Sequence, residues 1–509
     1  MSFNLNLNEY RDKVLGCWAG KNIGGTLGTP YEGDRNTHDI EFFRPEDANA
    51  PAPNDDLDLQ LVWLAALERY GVQGITKERM AEMWMGHIIG PWGEYINCKL
   101  NIANGLYPPL SGSCNNEQWK YSNGAWIRSE IWACINPGMP DEAIRFAYID
   151  SCVDHCGEGI YAEMFTAATE AAAFICNDID QIIDIGLSKI PEECRVAKLI
   201  KLVRECHSSG RDWRQCRDEI VRANDLGWFQ APGNVAFAVT GLVFGEGDFG
   251  KSLCIAVDCG DDTDCSAGYV GALLGIISGY GKLPERWRDY IGNSIKTCAL
   301  NSFEMWDCPP PKTIQELTAR TVSIGRISSI VNAGTLPSLE NAPTCILPEQ
   351  ISLCMDRKGA EALIAKSPYE LEYRIPFGVI YVDYHEGPYC SPGESKEITV
   401  SIEQFTGTYD DASFEWILPD GWKSSIPEAH LISLYSTRGS IKQSLVPGAF
   451  GKAVQYVQLK VSLASRNASV ILQVPFIHKD SVNYVVYGNP DNFIHDWNRW
   501  KNKMRDFKL

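Results

Sequence analysis

The pattern of apolar and polar positions divides the sequence into a helical part and a strand-rich part. From about residue 9 to 335, apolar residues recur every three or four positions, the spacing of a helix face that packs against a core. The segments with this spacing lie at residues 10–25, 59–71, 141–152, 160–175, 196–206, 234–245 and 266–279. Glycine and alanine are frequent in them and allow close backbone approach, so we predict one compact, orthogonally packed helical domain.

The helical spacing weakens between Trp84 and Trp132, where Gly, Pro and Asn become frequent. This composition predicts long loops, on which functional residues often lie. Several aromatic residues occur there. Most of them are expected in the core, but aromatic side chains in a cleft would stack on a sugar or a nucleobase.

Beyond Pro376 the pattern changes to alternating apolar and polar residues, which is typical of half-buried strands. The alternating segments lie at residues 377–383, 396–404, 413–418, 454–463 and 469–476. We therefore predict an immunoglobulin-like antiparallel β-sandwich over residues 341–509, following a helical domain over residues 1–340. The sandwich domain is predicted to end in a helix that packs on the protein through one shared face, formed by Phe493, Trp497, Trp500 and Met504.

Composition and charge exclude several classes of function. The chain has 509 residues, of which 45% are hydrophobic and 22% charged, and its formal net charge is −19. No cluster of Lys and Arg suggests nucleic-acid binding, and no apolar run is long enough to span a bilayer, so we predict a cytoplasmic protein. The 18 cysteines form no CxxC pairs, which argues against structural zinc and a disulfide framework.

An acidic turn near residue 260 provides the first sign of chemistry. Asp258, Asp261, Asp262 and Asp264 lie within seven residues, directly before a small-residue apolar helix. Carboxylates so close together repel one another and raise each other's pKa unless a cation neutralises them. A bound divalent metal is the simplest way to keep them ionised.

A second oxygen-rich turn occurs at residues 54–60, and it also opens an apolar helix. It begins with Asn54, Asp55 and Asp56. One such turn alone would be an ordinary helix N-cap. Two of them at two helix starts can close on a shared site for a hard metal ion.

These turns belong to a set of segments that resembles the ADP-ribosylglycohydrolase family, which includes the dinitrogenase reductase-activating glycohydrolases. The resemblance covers roughly residues 11–280. It is carried, in the family's order, by VLGCWAGKNIGGTLGTPYEG (14–33), NDDLDLQ (54–60), SNGAWIR (122–128), DHCGEGIYAEMFTAA (154–168) and CGDDTDCSAGYVGALLG (259–275).

The resemblance implies an all-α fold with a binuclear magnesium site in a cleft, with manganese as the alternative metal. The metal ligands it implies are Asn54, Asp55, Asp56, Asp262, Asp264 and Cys265. It also implies that Glu32 lies beside the metals, that Asn123 and Gly124 contact the ligand, and that His155 lies near a bound ribose.

The residue chemistry adds roles to this set. A carboxylate near the ions can position or deprotonate water, so Glu32 and Asp56 are the candidate catalytic residues. Trp126 is a candidate platform for the substrate, and Arg128 is the basic residue best placed in the sequence to contact a phosphate.

The sequence departs from the family pattern at several positions. Asn54 replaces a threonine but keeps a hard oxygen, whereas Cys265 replaces a threonine hydroxyl with sulfur, a poor partner for magnesium. We expect the second metal site to be weaker, to use water, or to recruit Asp261, which stands where the family has glycine. Gly25 replaces an aspartate, and Leu57 replaces a threonine.

The sequence therefore predicts a metal-dependent glycohydrolase that acts on a small-molecule or protein-linked glycoside, such as an ADP-ribose conjugate. One alternative is a glycoside hydrolase for a carbohydrate, favoured by the Trp-rich segment and the few basic residues. The other is a sugar-binding or ADP-ribose-binding homologue with impaired turnover, favoured by Cys265 and Gly25.

Overall fold

The structure is a computed structural model. It describes residues 3–90, 92–301, 305, 307–332, 337–405, 410–433, 438–467 and 469–481. The predicted C-terminal helix lies outside these residues. The described residues divide into two compact units, which we name the helical unit (within 3–96 and 118–365) and the sandwich unit (within 97–117 and 366–481).

The helical unit takes in most of the α-helices. In chain order, the described helices are α1 Leu7–Gly28, α2 Asp55–Tyr70, α3 Lys77–His87, α4 Gly93–Ala103, α5 Leu110–Ser113, α6 Glu130–Cys134, α7 Pro140–Ser151, α8 Glu158–Ala173, α9 Ile179–Ser188, α10 Arg195–Ser208, α11 Trp213–Ala223, α12 Ala231–Gly245, α13 Phe249–Asp258, α14 Thr263–Ser278, α15 Glu285–Arg288, α16 Ile314–Val331, α17 Pro348–Leu353 and α18 Lys358–Ile364. A short parallel pair, β1 Asn4–Asn6 and β2 Ser338–Glu340, completes this unit.

Helices α1 and α14 lie in backbone contact because glycines recur every fourth residue along α1. A Cβ built at Gly20 would overlap the carbonyl oxygen of Gly271, and one built at Gly28 would overlap that of Thr263. Gly16 faces Gly275 in the same way. Since low numbers on one helix face high numbers on the other, the pair is antiparallel. The end of α1 therefore lies at the start of α14, where the acidic turn is.

The sandwich unit contains two five-stranded sheets. In spatial order, the first is β3 Glu370–Ile375, β4 Gly378–Asp383, β6 Lys396–Gln404, β10 Arg438–Val446 and β8 Lys423–Ser424. The second is β5 Tyr389–Cys390, β12 Ser469–His478, β11 Val454–Leu463, β7 Asp410–Ile417 and β9 Glu428–Ser433. Neighbouring strands are antiparallel, except that β5 pairs with β12 in parallel.

Both sheets contribute to one hydrophobic core. Every second residue of β6 and β11 enters it, as alternation predicts. These residues are Ile398, Val400 and Ile402 from the first sheet and Val457, Leu459, Val461 and Leu463 from the second. The predicted fold class, a largely helical domain followed by an antiparallel β-sandwich, is confirmed.

Residues 97–117 belong to the sandwich unit although they lie far from its strands in the sequence. Leu106 and Leu110 are part of the sandwich core. The Tyr456 hydroxyl donates to the Asn104 carbonyl at 3.0 Å.

The expectation of long loops between Trp84 and Trp132 was wrong over α4, because residues Gly93–Ala103 form a regular helix.

Among the described residues, no helix combines the length and apolar character needed to cross a bilayer.

Candidate metal centre and substrate cleft

The two acidic turns meet at the starts of α2 and α14. Asn54 caps α2, its Oδ1 accepting from the Asp56 backbone N–H at 2.7 Å, while its Nδ2 donates to Asp264 Oδ2 at 3.3 Å. The Cys265 thiol donates to Asp56 Oδ1 at 3.5 Å. Residues some two hundred positions apart thus form one cluster.

The start of α14 offers a group of potential metal ligands. Asp262, Asp264 and Cys265 are all buried, and each has a ligand atom within 4.8 Å of the others. Asp262 Oδ2 accepts from Asn123 Nδ2 at 2.6 Å, whereas its Oδ1 has no hydrogen-bond partner. Hard, buried oxygen atoms with unsatisfied capacity fit a divalent cation.

The electrostatics of the cluster also favour a cation. Burial, followed by repulsion from Asp264 and Glu32, raises the pKa of Asp262 well above its usual range. Burial likewise raises the pKa of Asp56, against the lowering effect of Lys21 and with the help of Asp264 and Asp55. A divalent ion would remove this penalty and keep both carboxylates ionised.

Glu32 reaches the cluster through the turn that follows α1. The chain leaves α1 in a 3-10 turn, Thr29–Tyr31, and then pairs with the acidic turn. Gly33 N–H donates to the Asp261 carbonyl at 2.8 Å, and Asp261 N–H donates to the Asp34 carbonyl at 2.7 Å. These two bonds hold Glu32 in the wall of the cleft above the cluster.

Asp261, one of the three alternatives considered for the second metal site, is held by groups outside the cluster. Its Oδ2 accepts from the Phe229 backbone N–H and from Asn234 Nδ2, each at 2.8 Å. Its φ of 67° turns the chain in the left-handed region, and its side chain does not line the cleft. Asp261 therefore fixes the turn and does not supplement Cys265.

A cleft that is open to solvent lies over the cluster, and the free space in it, with its open solvent side included, is about 600 Å³. Its described lining contains six carboxylates and no Lys, Arg or His, together with aromatic walls. The acidic lining residues are Glu32, Asp55, Asp56, Glu94, Asp262 and Asp264, and the aromatic ones are Trp92, Tyr95, Trp119 and Phe229. Tyr95 also donates from its hydroxyl to Asp55 Oδ2 at 3.1 Å.

The predicted substrate-binding residues divide into two layers. Asn123 and Gly124 line the cleft. Trp126 is fully buried and is not a lining residue; its indole N–H donates to Asn123 Oδ1 at 3.0 Å. Trp126 therefore orients Asn123 and offers no face for stacking on a ligand.

Arg128 and His155 lie behind the same wall and are fully buried. The Arg128 guanidinium donates to the Gly124 carbonyl at 2.6 Å and to both oxygens of Asp154, at 2.9 and 2.7 Å. His155 lies 2.9 Å from Asp154 through Nδ1 and 3.1 Å from Ser122 Oγ through Nε2. Arg128 is thus held by protein groups and supports the wall, away from any phosphate in the cleft.

The buried residues behind the wall strongly shift the pKa of Asp154. Burial would raise the pKa of Asp154, but Arg128 and His155 outweigh burial and lower it to about 2. Asp154 is therefore a fixed anion.

Lys21 is a component that the sequence reasoning missed. Its ammonium group is buried in α1, 2.9 Å from Glu130 Oε1 and 3.3 Å from Asp56 Oδ2, and it donates to the Ile127 carbonyl at 2.7 Å. Burial lowers the pKa of Lys21, but Glu130 and Asp56 outweigh this effect and raise it, so the group stays charged. The sequence feature that could have identified Lys21 is its position as a lone lysine inside a run of small and apolar residues.

Glu94 is the other missed residue. It is 8% exposed, lies at the start of α4 and lines the cleft. Burial raises its pKa. No feature of the sequence separated it from the other acidic residues between Trp84 and Trp132.

The structure accounts for one departure from the family pattern. A Cβ at Gly25 would lie 2.6 Å from Asn54 Nδ2. The lack of a side chain at position 25 therefore leaves the space that the Asn54 amide occupies.

Comparison with known families supports the resemblance found in the sequence. Residues 6–313 match the ADP-ribosylglycohydrolase family model, which covers more than half of the 509-residue chain. Comparison with curated proteins gave no match. The matched region contains the cluster, Glu32 and the cleft wall, and we conclude that the chain belongs to the ADP-ribosylglycohydrolase family.

Proposed function

We propose that the protein is a metal-dependent glycohydrolase that uses water to cleave a ribosyl or other glycosidic bond. Family membership supports a glycohydrolase-type hydrolase function. The observation that carries the metal-dependent mechanism is the convergence of two acidic helix starts on one cleft, where the buried Asp262 Oδ1 has no hydrogen-bond partner.

Two divalent ions would be held by the residues at the two helix starts. These are Asn54, Asp55, Asp56, Asp262, Asp264 and Cys265. All but Cys265 offer hard oxygen, which suits Mg²⁺, with Mn²⁺ as the alternative. Bound there, the ions would supply Lewis acidity: they would orient sugar hydroxyls, acidify water and offset charge at the anomeric carbon.

The side chains of the cleft complete the reaction. Glu32 accepts the proton of the attacking water, and the raised pKa of Glu94 suits it to hold a proton for the leaving group. Asp56 is oriented by Lys21, whose ammonium group lies 3.3 Å from Asp56 Oδ2. Asn123, whose amide is fixed by Asp262 and Trp126, positions the sugar.

The lining of the cleft supports a carbohydrate as the second candidate substrate. A diphosphate carries negative charge, yet the described lining has no cationic side chain to meet it. Trp92, Trp119 and Phe229 offer apolar faces of the kind that contact sugar rings. Bound metal ions would be the main positive charge available to an ADP-ribose conjugate.

A parallel assay tests the proposal and separates the substrates. The purified chain is incubated, with and without a chelator, with ADP-ribosylated protein and with a panel of aryl glycosides and oligosaccharides. We expect release of ADP-ribose or of reducing sugar, with loss of turnover on chelation and in Asp262→Asn. Asp39→Asn, at an exposed position, serves as the matched control.

The two products distinguish an ADP-ribosyl substrate from a carbohydrate. Turnover that survives both chelation and Asp262→Asn would contradict a metal-dependent mechanism. Binding of ADP-ribose or sugar without turnover of any substrate would favour an impaired binding homologue.

A further inference from the structure

One ligand position in the metal centre holds sulfur where all the others offer oxygen. Cys265 lines the cleft, and among the described lining residues it is the only cysteine. It is 5% exposed and lies in the buried triad with Asp262 and Asp264. The helix start at Asn54, Asp55 and Asp56 contributes no sulfur.

The thiol shares its buried triad with a carboxylate that has one unsatisfied oxygen. Asp262 is 5% exposed, and its Oδ1 lacks a hydrogen-bond partner. The thiol itself points into the cluster, since its contact is Asp56 Oδ1 at 3.5 Å. This geometry differs from that of Cys259 in the same turn, which is fully buried and does not line the cleft.

Ligand chemistry then decides which ion suits the triad. Thiolate is a soft ligand that favours Zn²⁺ and related transition ions, whereas Mg²⁺ prefers oxygen and binds thiolate poorly. We propose that Cys265 binds through its thiolate, so that the Asp262–Asp264–Cys265 triad takes a thiophilic divalent ion of the Zn²⁺, Co²⁺ or Fe²⁺ class. The helix start at Asn54, Asp55 and Asp56 offers only oxygen and therefore prefers a hard ion. The centre would then hold one thiophilic ion and one hard ion.

This inference rests on the proposed function, because it assumes that a metal binds in the cluster. On binding, the S–H bond breaks, a metal–sulfur bond forms, and the proton leaves to solvent. The hydrogen bond from Cys265 to Asp56 is lost in the same step. That loss would leave Asp56 Oδ1 available as a ligand for a hard ion.

Cobalt substitution provides a test that does not depend on turnover. Full-length protein freed of metal is titrated with Co²⁺, and the near-ultraviolet spectrum is recorded for a thiolate-to-cobalt charge-transfer band. We expect the band in the wild type and in the control Cys259→Ser, and its loss in Cys265→Ser.

Affinity measurements provide the second arm. Calorimetric titration of wild type, Cys265→Ser and Cys265→Thr gives the ratio of Zn²⁺ to Mg²⁺ affinity. Replacing sulfur by a hydroxyl should lower that ratio by about tenfold or more, because only the soft ligand changes.

Each outcome decides the inference. Cobalt binding without the band, a band that survives in Cys265→Ser, or an unchanged affinity ratio would overturn the role of Cys265. In those cases the proposed function stands as long as Asp262→Asn still abolishes metal-dependent turnover. A wild type that binds no divalent ion would overturn both.

Discussion

The two units bury different kinds of side chain. The helical unit buries several charged or ionisable polar groups completely. They are Asp58, Arg128, Glu130, Asp150, Asp154, His155, Glu163, Glu170 and Lys189, all without exposed surface. Among the described residues of the sandwich unit, Asp410 is the one buried Asp, Glu, Lys, Arg or His, and 7% of it remains exposed; the core of this unit is apolar.

The difference in buried side chains indicates that the two cores serve different purposes, one of them function and the other stability. Apolar packing of similar volume would stabilise a fold at least as well as buried ion pairs, because burying charge carries a large desolvation penalty. The helical unit carries that penalty at several places, one of which is the pair of Arg128 and Asp154 behind the cleft wall. We infer that the buried charges in contact with the cleft wall serve the chemistry of the cleft, whereas the core of the sandwich serves stability.

Removing the buried cation should have the largest effect on stability. Lys21→Met leaves Asp56 and Glu130 buried without their ammonium partner, and we expect the free energy of unfolding to fall by about 3–5 kcal/mol. Urea denaturation measures the change. The matched control is Lys460→Met, which breaks an exposed pair with Glu415 on the sandwich and should leave stability nearly unchanged. Equal effects of the two variants would contradict the contrast between the units.

A cavity in the sandwich should reduce stability without touching the chemistry. Leu459 is fully buried in the sandwich core, so Leu459→Ala should lower the stability of that unit by about 2–5 kcal/mol. Metal affinity, measured by calorimetry on the folded protein, should remain at the wild-type value. A parallel loss of metal affinity would show that the sandwich core supports the centre.

The contact between α1 and α14 should link packing to metal binding. Gly20→Ala introduces a methyl group against the Gly271 carbonyl, and we expect a loss of about 1–3 kcal/mol together with weaker metal binding. Gly86→Ala in α3 is the control, because a Cβ there meets no atom within 4 Å. A Gly20→Ala protein with wild-type stability and affinity would rule out a close backbone fit.

The buried anion behind the cleft wall should produce a specific pH dependence. Because the pKa of Asp154 is lowered to about 2 in the folded state, its stabilising effect is complete above about pH 4 and is lost as the pH falls toward 2. The pH-dependent part amounts to about 2 kcal/mol. The stability gap between wild type and Asp154→Asn, followed by urea denaturation from pH 6 to 3, should therefore narrow on acidification. A gap that is constant over this range would contradict the assignment.

The periodicity of apolar residues and glycines predicted the secondary structure and packing well in segments that present one face to the same neighbour along their whole length. The alternation at residues 396–404 and 454–463 matches strands β6 and β11, and the glycine spacing of α1 anticipated close helix packing. The attachment of residues 97–117 to the sandwich unit could not be read from the sequence. It depends on where Leu106 and Leu110 are buried, which is a tertiary property.

The candidate site shows a similar limit. The order of the family segments identified the two acidic turns, because the residues of each turn lie next to one another in the sequence at a single helix start. It could not separate Asn123, which lines the cleft, from Trp126, three residues later and behind the wall. Lys21 lies inside the first family segment but had no role assigned to it, and Glu94 lies outside the family segments, so only the fold revealed their positions at the site.

The most direct test of the metal centre is anomalous diffraction from crystals of the full chain grown with Mn²⁺. We expect anomalous density within coordination distance of Asp56 and Asp262, and its loss in Asp262→Asn crystals. Wild-type crystals that show no such density, at an ion concentration that saturates turnover, would contradict it.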